Sequence, residues 1–308
     1  MKPYDPATAA NLAQFVQFAY SMYQTSVTNG NTLTPTIDPG LAAAGYKLTY
    51  WLAAHDITAH LFYGYMAQGI NNPGDIVLAI RGTETPEEWI LDFEALPVLF
   101  HAGAAAGFVA LGFNDVQKSF QFLDGTGTIS SLADAIVRIS AAVNITSVRI
   151  LGHSLGGALA VLSAAELAIR NTAGVKPLIE LYTYASPSVG LPDFADWCNN
   201  NISTIWRVWN VLDIVPYVPP IPFLHEAGLG HALVQSQSQL ESIDTNPRCE
   251  HNLGTYQWLL DPAAFPLNNG CLVAAPAVDD FAVAGALTSR QQGAQALRRA
   301  LLAHHFAK

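Results

Sequence analysis

Residues 149–158, Arg-Ile-Leu-Gly-His-Ser-Leu-Gly-Gly-Ala, constrain the fold of this chain more than any other stretch. An apolar, β-branched run (Ser147–Leu151) enters Gly152-His153-Ser154-Leu155-Gly156, and a run of helix formers from Ala158 to Ile169 leaves it. Strand, tight turn and helix are the context in which G-x-S-x-G becomes a nucleophile elbow rather than a glycine-rich packing turn. The turn is so sharp that positions two before and two after the serine have no room for a bulky Cβ, and glycine fills both. Ser154 is then expected at the carboxyl edge of a sheet. It would sit at a helix N-terminus, whose dipole favours developing negative charge.

The rest of the chain reads as more of the same architecture. Residues 11–28 form an apolar helix pattern. Tyr46–Leu52, His60–Ala67 and Asp75–Arg81 read as strands, the last buried on both faces. Phe108–Leu123 and Leu132–Val143 read as helices. After the elbow come a strand at Leu178–Tyr184, a short helix near Phe194, a strand at Thr204–Trp209 and a further strand at His231–Gln235. Strands alternating with helices imply an α/β fold with a mostly parallel sheet, and ligands then collect at the strands' carboxyl ends. Residues 1–262 read as the catalytic domain. The sequence from 263 to 308 reads as a C-terminal extension packed on the same domain, ending in a helix at Arg290–His304.

The chain has 308 residues, 51% of them hydrophobic and only 12% charged, a balance that suits a large core, an apolar surface, or both. The net charge of −10 gives no electrostatic reason to bind nucleic acid. Ala95–Asn114 carries no Asp, Glu, Lys or Arg and has the length of a membrane span, yet Pro97, His101 and three glycines make it a buried helix after a loop instead. The N-terminus shows no charged-then-apolar leader, so a cytoplasmic protein and a secreted mature form both stay open. Cys198, Cys249 and Cys271 allow one disulfide plus a free thiol, or three thiols.

A serine nucleophile needs a base and an orienting acid from elsewhere in the chain. Asp213 follows the strand ending at Trp209, in the kind of strand-end loop that carries catalytic carboxylates; Asp193 and Asp244 are weaker candidates. Among the later histidines, His251 lies between a loop and a helix pattern and is preferred over His225 and His231. Backbone donors for an oxyanion are expected at Leu155, just after the nucleophile, and at Thr83, where Arg81-Gly82-Thr83 closes a strand. Thr85-Pro86-Glu87-Glu88 is a strong helix start, and the helix it opens would place Trp89, Ile90 and Phe93 on one face. That segment, around 84–100, reads as a lid over the acyl site, with a fixed core helix as the alternative.

Together these pieces resemble the class 3 lipases of the filamentous-fungal type. The resemblance rests on Ile80-Arg81-Gly82-Thr83 with Glu88-Trp89 and Asp92, on Gly107-Phe108, and on Gly152–Gly157. It continues through Thr183–Gly190, through Asn210 with Asp213–Pro216 and Pro219-Pro220, and closes at His251 and Tyr256. It implies an α/β-hydrolase-like fold, a Ser154–His251–Asp213 triad, an oxyanion hole at Thr83 and Leu155, and a lid within 84–100. The implied activity is carboxylic ester hydrolysis through an acyl-enzyme, without metal or organic cofactor. Triacylglycerols at an oil–water interface are the leading substrate. Shorter or feruloyl-type esters, phospholipase A1 activity and transfer to another alcohol are alternatives, and a non-catalytic lipid-binding protein is a distant one. The Asp213-to-His251 interval is short for the fungal type, and the tail beyond residue 262 has no counterpart there.

Overall fold

A computed structural model describes residues 3–55, 59–83, 96–127, 129–218, 228–233, 243–244, 246–268 and 270–272. The chain opens with α1 (Pro6–Thr28), started by Pro6 and by the Asp5 carboxylate accepting from Thr8 N–H at 3.0 Å. Then come α2 (Pro39–Ala43), β1 (Tyr46–His55), β2 (His60–Gly69), β3 (Asp75–Ile80), β4 (Pro97–Leu99), β5 (Phe108–Ala110), α3 (Leu111–Lys118), β6 (Gln121–Leu123) and β7 (Ile129–Ser130). The second half holds α4 (Leu132–Ala142), β8 (Ser147–His153), α5 (Leu155–Arg170), β9 (Ile179–Tyr184), α6 (Pro192–Asn201), β10 (Thr204–Asn210), β11 (Leu229–Leu233), α7 (Pro247–His251) and α8 (Leu253–Leu260).

Nine strands form one sheet in the order β11-β10-β9-β8-β3-β2-β1-β6-β7. From β3 to β11 every pairing is parallel, as the strand–helix alternation predicts. The wing from β2 to β7 is antiparallel, because β1 and β2 are joined by a hairpin and not by a helical crossover. Period-two alternation on β3 explains how the sheet is covered. Ile76, Leu78 and Ile80 pack into the cluster under α3, α4 and α5, whereas Val77 and Ala79 pack into the cluster under α1 and α8. α5 is buried from Leu155 through Ala168, which is why its sequence is apolar all round.

One stretch departs from the sequence pattern. Ala95–Asn114 was expected as a buried helix, and Phe108–Leu123 as another. Instead β4 and β5 form a two-stranded antiparallel hairpin with a three-residue 3₁₀ turn at Ala104–Ala106, and α3 begins only at Leu111. Gly107, at φ +99°, breaks any continuous helix, and β5 is captured by the loop after β9: Val109 bridges Gly190 and Ala110 N–H donates to Val189 C=O at 3.0 Å. Leu96, Leu99 and Phe108 stay exposed on this hairpin. Among the described residues, no single helix is long and apolar enough to cross a membrane.

Cys249 and Cys271 form a disulfide, and Cys198 is a buried free thiol on α6. The disulfide ties α7 to residue 271, beyond the expected domain limit at 262. Residues 273–308, with the helix expected at 290–304, lie outside the described residues.

Candidate active site

The elbow is built as its sequence requires. Ser154 sits at φ +57°, ψ −130°, a strained conformation for a residue with a side chain, between the last residue of β8 and the first of α5. Its N–H is held by Tyr184 C=O at 2.9 Å. A Cβ on Gly152 would overlap the Gly156 carbonyl, and one on Gly156 would overlap the carbonyl oxygens of Ile80 and Arg81. Both glycines are therefore conditions for the turn. Gly156 also lets the end of β3 and the start of α5 approach each other closely.

Ser154, His251 and Asp213 come together in one hydrogen-bonded chain. His251 Nε2 lies 2.8 Å from Ser154 Oγ, and His251 Nδ1 lies 2.7 Å from Asp213 Oδ2. An ionised carboxylate only accepts, so Nδ1 carries the proton, and the Nε2 lone pair faces the serine hydroxyl. Asp213 Oδ2 also accepts from the Tyr256 hydroxyl at 2.7 Å, and Oδ1 from Val215 N–H at 3.0 Å. Asn210 N–H donates to the Tyr256 oxygen at 2.9 Å, and the Asn210 side chain donates to Glu250 C=O at 3.0 Å, tying the end of β10 to α7. Ser154 is 0% exposed, Asp213 1% and His251 5%, so the whole chain of groups is shielded from solvent. His251 is the last residue of α7, a short helix capped by the Asn246 side chain, where a loop was expected.

The other half of the site surrounds the elbow. Leu155 opens α5, where helix geometry leaves backbone N–H groups without intrahelical acceptors. Gly82 lies so close to the elbow that a Cβ there would stand 2.7 Å from Ser154 Cβ. The next residue is Thr83, whose Oγ1 is buried with no hydrogen-bond partner among the described residues. Gly82 N–H donates to the Tyr20 hydroxyl at 2.9 Å, and Tyr20 O–H lies 2.8 Å from His153 Nδ1. His153 Nε2 donates to the His251 carbonyl at 2.9 Å. Burial first, and then the neighbouring His251 imidazole, hold His153 well below the usual histidine range, so it is neutral. This relay through Tyr20 and His153 links the two halves of the site. Sequence reasoning missed it, because only the adjacency of His153 to Ser154 hinted at it, and Tyr20 is 133 residues from its partner.

The weaker candidates stand elsewhere. His231, on β11, stacks on Tyr4 with ring centroids 3.7 Å apart and packs edge-on against Trp206. Asp193 accepts from Phe194 N–H at the start of α6, and Asp244 pairs its backbone with Cys271. His225 and the lid candidates Trp89, Ile90 and Phe93 lie outside the described residues. Among the described residues, no group of three or more histidine, cysteine or acidic side chains could hold a metal ion.

A mostly parallel sheet carrying a serine on a strained strand-to-helix turn defines an α/β-hydrolase fold. Residues 77–223 match the family model described as Lipase (class 3). The chain is similar to the lipase of Rhizomucor miehei, with 30% identity over 123 residues, 40% of this chain and 31% of that protein. A solved structure, the native Rhizomucor miehei lipase propeptide complex, superposes with a TM-score of 0.56 at 26% identity, covering 72% of this chain and 67% of that one. It is also similar to the chloroplastic/mitochondrial phospholipase A1 EG1 of Oryza sativa subsp. indica, 27% identical over 190 residues, 52% of this chain and 43% of the relative. The chain thus spans less than half the length of these curated relatives.

Proposed function

We propose that the chain is a serine carboxylic ester hydrolase whose principal substrates are triacylglycerols. The observation that carries this reading is the buried, hydrogen-bonded series Ser154–His251–Asp213 on an elbow of the class 3 lipase type. His251 takes the Ser154 proton as Oγ adds to the ester carbonyl. Asp213 holds the imidazole tautomer and stabilises the imidazolium. The N–H groups of Leu155 and Thr83 bind the tetrahedral oxyanion. The alcohol leaves with the proton from His251, and water then hydrolyses the acyl-enzyme by the same roles in reverse.

The similarity to a phospholipase A1 supports a second reading, release of one acyl chain from phospholipids. A pH-stat assay of emulsified triolein beside phosphatidylcholine vesicles, with Ser154→Ala as the blank, tests both. Release from triolein that vanishes in the mutant supports the first, and release confined to the vesicles moves the assignment to the second. Release from neither substrate, together with no labelling by a fluorophosphonate, overturns the hydrolase reading. The Cys249–Cys271 disulfide supports work in an oxidising compartment. Segment 84–100 is proposed as the cover of the acyl site; of its described residues, the apolar Leu96 and Leu99 are exposed, which supports this reading.

A further inference from the structure

Arg81 is a buried cation, 3% exposed, one residue before the oxyanion turn. Its guanidinium lies over the Tyr23 ring at 3.5 Å from the centroid and 4.8 Å from that of Tyr63. Nε donates to Phe62 C=O at 2.9 Å, on the neighbouring strand β2, and Nη1 donates to Gly82 C=O at 2.6 Å. Burying a charge is costly, so where it is buried its hydrogen bonds hold firmly. The second bond is the informative one, because the acceptor is the carbonyl of the next residue along the chain.

Gly82 C=O and Thr83 N–H belong to one peptide unit. That unit is planar and trans, so the two groups point in opposite directions. Holding the carbonyl fixes the N–H on the other side. The preceding peptide is held as well, because Gly82 N–H donates to the Tyr20 hydroxyl at 2.9 Å. Glycine has the freest backbone of any residue, and here it cannot be exchanged, because a Cβ would meet Ser154 and the His153 carbonyl at 2.7 and 2.8 Å. The turn thus needs a residue that cannot hold its own direction, and the clamp is external.

We propose that Arg81 is a positioning residue that aims the Thr83 N–H at the oxyanion. This rests on the ester-hydrolase reading above. The rigid fork of arginine can reach two carbonyls at once while stacked on Tyr23, whereas lysine offers a point charge without the stacking plane. Thr83 supplies the catalytic contact, and Arg81 acts through the peptide between them.

The test uses the full chain as wild type, Arg81→Gln, Arg81→Lys and Tyr23→Leu. Active sites are counted by end-point titration with a fluorescent fluorophosphonate, and p-nitrophenyl butyrate hydrolysis is measured per titrated site. The affinity of an alkylboronic acid, which forms a tetrahedral anionic adduct on the serine, is measured beside it. Arg81→Gln is expected to lower kcat about 100-fold, the lower end of what loss of one oxyanion donor costs, with KM essentially unchanged. Boronate affinity should fall by the same factor, and Arg81→Lys should recover only part of the loss. A folded Arg81→Gln protein with unchanged kcat per titrated site, however much its melting temperature drops, overturns the proposal. Should neither Arg81 variant fold, Tyr23→Leu decides: it releases one face of the guanidinium, and kcat is expected to fall about 10-fold at constant KM because small misalignments near reacting atoms are costly. Unchanged kcat there overturns the proposal too. Wild type that neither turns over the ester nor labels defeats the hydrolase reading and this inference with it. An active wild type with unaffected variants defeats this inference alone.

Discussion

The two halves of the site are held by different physics. The Ser154, Leu155 and Thr83 half stands on β3, β8 and α5, whose buried side chains fill the two main clusters on either face of the sheet. Each buried Ile, Leu or Val there contributes roughly 1.5–3 kcal/mol, so this half is fixed many times over. The Asp213 and His251 half stands on the turn after β10 and on the five-residue α7. It is held by single hydrogen bonds through Asn210 and Tyr256, each about 1 kcal/mol net, and by one disulfide. Precision in the first half follows from packing. In the second it follows from a few directed contacts, so single substitutions there should act on catalysis more than on the fold.

The sharpest way to break this comparison is Asp213→Asn. With the acceptor-only carboxylate gone, His251 loses its tautomer control, and kcat should drop about 10⁴-fold as it does in other serine triads, with little change in melting temperature. A large melting shift with modest kcat loss would reverse the contrast. On the packed half, Gly156→Ala should act oppositely. Its Cβ would overlap the backbone carbonyls of Ile80 and Arg81 at the end of β3, and the expected loss is more than about 3 kcal/mol, read as a lowered denaturant midpoint. Cys271→Ser removes the closure between residues 22 apart in sequence and should cost about 3 kcal/mol, seen in thermal unfolding with dithiothreitol-treated wild type for comparison. Tyr256→Phe removes one donor to Asp213 and should cost about 1.5 kcal/mol, the value of a bond to a charged group, and lower kcat more than it raises KM.

The smallest effect belongs to the His153 relay. Its folded pKa is depressed below the unfolded value of 6.5, so below that pH the unfolded chain binds a proton that the folded chain refuses. The stability His153 contributes is therefore fully present above pH 6.5 and is lost as pH falls from there toward the depressed folded value. Melting temperatures taken between pH 8 and pH 5 should fall less steeply in His153→Gln than in wild type. Parallel curves would remove His153 as a contributor.

The same contrast explains what the sequence made legible. The elbow could be read because its constraints are local: glycines at two positions, β-branched residues before them and helix formers after. Asp213 and His251 could be singled out by chain order and loop context, but what holds them could not. Tyr20, Arg81 and Asn210 look like ordinary core or turn residues until distant strands bring their partners within reach. The three cysteines allowed three pairings, and spacing alone did not choose Cys249 with Cys271. The stretch 96–110 departs from the expected helix for a related reason. An alanine-rich run carries helix propensity, yet Gly107 and the backbone of the loop after β9 decide its conformation.

The position of the disulfide has a consequence for the order in which the protein is made. Ser154 and the strands around it lie in the first 184 residues, whereas the imidazole that faces it sits at 251 and the cysteine that braces its helix at 271. A nascent chain can therefore complete most of its sheet while its serine has no base to activate it. On the proposed reading, chemistry arrives only once His251 has been synthesised, and its brace only when Cys249 and Cys271 have been oxidised. On the proposed hydrolase reading, timing of this kind keeps the enzyme inert for as long as it is incomplete.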